Sequence, residues 1–134
     1  MENYTTYTDI ADFYDRVRAS LQIDTSVISD TKINYPEYAP LAERQIKKKL
    51  TNWETLVNDD LTDLQTAVVL QTAINCYSLI PSNIKVKQTA NMKIEYKDKT
   101  NPTSLIDNLV EKLNEILIVL TDADEDLFIG FLVT

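Results

Sequence analysis

The sequence predicts a mainly α-helical fold. It reads as a small helical bundle around a central buried helix at about 61–80. A short β-hairpin or extended arm at about 84–97 and an apolar C-terminal tail complete a single domain over 1–134. Three observations carry this prediction. The stretch LTDLQTAVVLQTAINCYSLI is apolar nearly all round from Ala67 onward, the pattern of a helix enclosed on most sides. The segments before and after it repeat apolar residues at helical spacing. One glycine and four prolines favour helices with firm ends over a many-turned β-sandwich.

Composition bounds the chemistry. The 134 residues are enough for one domain with a real core and no staples. With no histidine and one cysteine, Cys76, an intrachain disulfide and cysteine/histidine zinc sites are excluded. The lone glycine excludes glycine-rich phosphate loops and dinucleotide fingerprints. Cys76 falls on the central helix and reads as a small hydrophobe, because the usual activating histidine is missing. The beginning MENYTTYTD has no basic region followed by an apolar run, so no secretory signal is expected and cytoplasmic synthesis is.

The first helix is expected from Thr8 to Leu21, with Thr8 as its cap and Asp9 and Asp12 in the first turn. Ile10, Phe13, Val17 and Leu21 give it one apolar face, and Arg16 and Arg18 fall near its C-terminal end. A one- or two-turn helix at Val27–Ile33 comes next. Pro36 and Pro40 then restrict the residues before them to extended conformations. A second long helix is expected at about Pro40 to Trp53, with Ala42, Ile46, Leu50 and Trp53 as its stripe. Arg44, Lys47, Lys48 and Lys49 form a basic cluster. It reads as a solvated face in preference to a contact with nucleic acid or an acidic protein surface, since the protein carries a net charge of −8.

The central helix begins at Leu61, with Asp60 as cap, and stops at Pro81. Gln65, Thr66, Gln71, Thr72 and Asn75 interrupt its apolar run, so it does not read as a membrane span, which needs about 20 predominantly apolar residues. Beyond Pro81 the period changes to two. Ile84 and Val86 alternate with Lys85 and Lys87, and Met92, Ile94 and Tyr96 with Lys93, Glu95 and Lys97. Two strands alone are marginal in water, so this hairpin needs further support. Its lysines are either guards of an exposed edge or parts of an interaction arm.

Asn101-Pro-Thr-Ser opens the last helix. Leu105, Leu109, Leu113, Ile116, Leu117 and Leu120 form its apolar stripe, with Asp107, Glu111 and Glu115 on the other side. Asp122, Asp124, Glu125 and Asp126 follow, without the glycine turn and distal glutamate of an EF-hand. The final run Leu127-Phe128-Ile129-Gly130-Phe131-Leu132-Val133-Thr134 is β-prone and apolar. It must be buried, against its own domain or against a partner. No catalytic set of nucleophile, base and orienting group emerges, so the sequence predicts no enzyme, metal or cofactor.

The order of these pieces carries a resemblance. A first helix leads to ISDTKINYPEYAPLAERQIKKKL, then to the apolar helix ending NCYSLIPSNIKVKQ, the stretch TANMKIEYKDK and a closing helix. Over about 8–120 this resembles the head–tail connector (adaptor) proteins of tailed bacteriophages. The resemblance implies a structural virion protein of the neck, assembled in host cytoplasm. Copies would form a ring, twelve-fold in that family, beneath the portal protein, extend the DNA channel and offer a platform to a tail-side stopper or tail protein. It implies a portal contact by Leu127, Phe128, Ile129, Phe131, Leu132 and Val133. Lys85, Lys87, Lys93 and Lys97 would face a neighbouring subunit or the channel. DNA would pass without sequence-specific binding, since acidic walls do not hold it. The alternative from charge alone is a small acidic regulator or DNA mimic that binds a host DNA-binding protein, with the acids near 107–126 as its face.

Overall fold

The computed structural model describes Tyr4, residues 6–85 and residues 104–121. Within them the fold is a mainly helical bundle, and the described residues contain no strand. Among the described residues the chain is ordered by α1 Phe13–Leu21, α2 Asp30–Ile33, α3 Ala39–Lys49, α4 Asn58–Cys76 and α5 Leu105–Thr121, with a further helical turn at 82–85.

α4 is the axis. Residues 67–73 are seven consecutive buried positions, and at about 100° per residue they cover the whole circumference of the helix. Three helices supply the cover, since α1, α3 and α5 all pack on α4. Two polar residues in this run bond locally. The Thr72 hydroxyl donates to the Val68 carbonyl at 2.7 Å, and the Gln71 amide donates to Asn75 Oδ1 at 3.1 Å. Burial therefore leaves neither group without a partner. The predicted bounds shift slightly. Val57 is the extended residue before α4, and Asp59 and Asp60 lie inside its first turn, where the helix dipole favours acids. At the far end α4 tightens into the 3₁₀ turn Tyr77–Leu79, which delivers Ile80 to the core before Pro81.

The other helices follow their stripes. α3 buries Ala39, Ala42 and Ile46, and α5 buries Leu105, Leu109, Leu113, Leu117 and Leu120. Ser104 caps α5 by accepting from the Asp107 amide at 3.2 Å. Asp107, Glu111 and Glu115 are exposed on its outer side.

Three expectations are corrected. The first helix does not run from Thr8. A 3₁₀ turn at Tyr7–Asp9 comes first, with Asp9 Oδ2 accepting from the Thr6 amide at 3.0 Å. Ile10 is then extended and Asp12 left-handed at φ 56°, so α1 starts at Phe13. The second long helix ends at Lys49, because Leu50 leaves helical geometry to enter the core. Trp53 sits instead on the 3₁₀ turn Trp53–Thr55. Third, the strand period after Pro81 fails at its first pair. Residues 82–85 form a helical turn, in which Ile84 N and Lys85 N both donate to the Pro81 carbonyl, at 3.0 and 3.1 Å. The remainder of the predicted hairpin, 86–97, lies outside the described residues.

Candidate interaction surface

Of the residues singled out for contact, the structure describes Lys85. It sits on the helical turn after Pro81, with its ammonium 4.5 Å from the centre of the Tyr77 ring. A cation over an aromatic face is attracted by the ring quadrupole, by roughly 0.5–1 kcal/mol at exposed sites. Lys85 is thereby tied to the end of α4, whereas a strand would have projected it outward. Lys87, Lys93 and Lys97 and the tail residues Leu127, Phe128, Ile129, Phe131, Leu132 and Val133 lie outside the described residues, as do Asp122, Asp124, Glu125 and Asp126.

The basic cluster of α3 is divided by the helix itself. Lys47 turns inward, 4.1 Å from the centre of the Trp53 ring and 5.3 Å from that of Tyr4. Glu43 lies one turn earlier, 3.8 Å from the Lys47 ammonium, and accepts a hydrogen bond from the Tyr4 hydroxyl. Tyr4 is buried against Trp53, edge to face at 6.3 Å. Burial, and then the Glu43 carboxylate, push its phenol well above the ordinary range, so it stays protonated. This corner pins the beginning of the chain onto α3. Arg44 and Lys48 point the other way. Each is two residues from the buried Ile46, about 200° around the helix. Both are exposed and lie one turn apart on the outer face.

On α1, Arg18 is buried. Its guanidinium donates to Asp30 Oδ1 at 2.6 Å, Asp15 Oδ1 at 2.8 Å and the Ile28 carbonyl at 3.2 Å. Burial pulls its pKa down. The hydrogen bonds it donates to Asp30 and Asp15 outweigh that and hold it above its ordinary value. The sequence placed Arg18 near the C-terminal end of the first helix, where cations are favoured. Asp15 three residues earlier was a legible signal of pairing, whereas Asp30 is brought up by α2. Beside this pair opens a cleft of about 250 Å³. Ile10, Phe13 and Tyr14 line its apolar part, and Asp12, Asp15 and Asp30 also line it.

A third polar cluster joins α3 to α4. Asn75 Nδ2 donates to Gln45 Oε1 at 3.0 Å and to the Tyr38 carbonyl at 3.3 Å. Cys76, one residue on, is fully buried, and burial pushes its thiol up to about 12. A thiol so held is protonated at neutral pH and is not a nucleophile.

These clusters fasten elements together. Among the described residues no group of three or more histidine, cysteine or acidic side chains is arranged to hold a metal ion, and no helix is long and apolar enough to cross a membrane. No protein-family model, curated protein or solved structure matches the chain.

Proposed function

We propose that this chain is a structural assembly subunit of the kind its sequence resembles, a head–tail connector of a tailed bacteriophage. In this role copies form a ring beneath the portal, extend the DNA channel and join capsid to tail, without catalysis. One observation carries the proposal. The described core is formed chiefly by α1, α3, α4 and α5, while the two runs that the sequence singles out as candidate interaction segments fall outside those helices in sequence. One is the segment 85–99, with five lysines against Glu95 and Asp98, and the other is the apolar run 127–133. The polar clusters on the described surface also tie helices together and do not assemble a nucleophile with a base.

In this role the tail side chains from Leu127 to Val133 dock on the portal, and Lys87, Lys93 and Lys97 contact a neighbouring copy or the channel. The test is removal of 127–134 from the full chain. Portal capture is expected to disappear while the helical circular-dichroism signal stays. Loss of the helical signal would make the tail part of the core and sink this assignment.

A second role, an acidic mimic that occupies a basic host protein, is favoured by the net charge of −8. Capture from the cells that make the protein separates the two. A portal or tail component among the partners supports the connector. A DNA-binding protein released by high salt supports the mimic.

A further inference from the structure

We propose that copies of this chain pair head to tail, the cleft beside Arg18 in one copy receiving the outer face of α3, Arg44 and Lys48, from the next. This rests on the ring-forming role proposed above and names the contact that would build the ring. The cleft offers about 250 Å³, below the roughly 300–1,000 Å³ of small-molecule sites, and so suits one or two side chains better than a metabolite. Its walls have two characters. The partly exposed Tyr14 presents aromatic surface to the stem or plane of a long cationic side chain, over a floor formed by the buried Ile10 and Phe13. Asp12, Asp15 and Asp30 add three carboxylates against the single guanidinium of Arg18, which leaves the site net negative.

Asp15 and Asp30 keep side-chain exposures of 77% and 58% while bonded to Arg18, so both retain lone pairs open to a second donor. The complementary surface is on the same chain but on another element. Arg44 and Lys48 stand one turn apart on α3, opposite its buried Ala42 and Ile46, so they can enter one cleft together. Two different complementary patches on one chain make a heterologous contact, the kind that closes into rings when the rotation allows.

Charge reversal of the full chain tests this by sedimentation and light scattering. The natural chain is expected to self-associate at low salt and less at high salt, because exposed charges are screened. Arg44→Glu with Lys48→Glu is expected to weaken association about tenfold or more, since like charges then face each other. Asp12→Asn removes one charge, retains a residue suited to the left-handed backbone, and is expected to weaken it less. Asp12→Lys reverses that charge and is expected to weaken association more than Asp12→Asn does. An equimolar mixture of Asp12→Lys with the Arg44→Glu/Lys48→Glu chain should associate again. Circular dichroism of each variant confirms folding. A natural chain that stays monomeric, reversed chains that associate like it, or a mixture of folded variants that does not recover would each overturn the pairing. Portal capture is read separately. A monomeric Arg44→Glu/Lys48→Glu chain that still captures portal leaves both proposals standing. Intact self-association with no portal capture removes the connector role alone.

Discussion

α4 and α5 are close in length, 19 and 17 residues, and pack on each other, yet they use that contact differently. α4 is covered on every side over residues 67–73. α5 buries one stripe and leaves Val110 and Val119 exposed, at 39% and 60%. Polar residues follow the same division. Those of α4 within the buried run turn onto its own backbone or its neighbours, as Thr72 and Gln71 do. The carboxylates of α5 face solvent. A side chain on α4 is therefore held by packing in all directions, while one on α5 is held from one side. The cost of a substitution should follow that difference.

The largest effect is expected for Leu70→Ala on α4. Leu70 is buried inside the run 67–73, and truncation of such a leucine costs about 2–5 kcal/mol through lost burial and the cavity left behind. Leu113→Ala on α5 should fall at the lower end of that range, because a one-sided contact can relax toward solvent. Urea unfolding of both variants measures this. Equal losses would erase the contrast.

Next comes a pH effect confined to α4. The Cys76 thiol is raised from 9.0 to about 12 by burial. The folded state thus keeps a proton that the unfolded chain releases. The contribution is fully present below about pH 9 and is lost as pH rises toward about 12, with a slope approaching about 1.4 kcal/mol per pH unit. Cys76→Ala should flatten the alkaline fall in unfolding free energy by that amount, after the other titrating groups cancel between the two proteins. An unchanged slope would mean that water reaches the thiol.

A smaller loss is expected for Asn75→Ala, which removes the side-chain amide bonded to Gln45, to the Tyr38 carbonyl and to the Gln71 amide. About 1 kcal/mol is typical for such a bond. If the loss is only that of an exposed helix position, the α3–α4 tie is not held by this side chain. The smallest effect belongs to Val119→Lys on α5. It should change stability by no more than about 0.5 kcal/mol, as for a surface site with no special role. A loss of 2 kcal/mol or more, the scale of a core truncation, would show that this position is covered in the folded chain.

Much of this was legible in the sequence. The all-round apolar run marked α4 as the axis, and the leucine stripe marked α5, because burial of that extent leaves few other places for those residues. Where local and tertiary demands differed, local signals misled. Four-residue spacing suggested that α3 continues to Trp53, but the core takes Leu50 out of the helix. Alternation suggested a strand at Ile84 and Lys85, but short-range bonds to Pro81 make a helical turn, and Ile84 packs on the core there. Thr8 was a plausible cap, but Asp9 bonds back to Thr6 and closes a separate turn.

The sequence by itself determined a helical bundle, its central helix and the solvent face of α5, because hydrophobic period follows directly from residue order. Composition likewise ruled out an intrachain disulfide, zinc-finger and phosphate-loop chemistry. Only the tertiary structure decided that Arg18 is an interior cation, that Asn75 joins two helices, and that Lys47 meets the ring of Tyr4. The physical reason is common to all three. Asp30 lies 12 residues from Arg18, and Gln45 lies 30 from Asn75, so their meeting depends on how whole helices pack and not on local spacing.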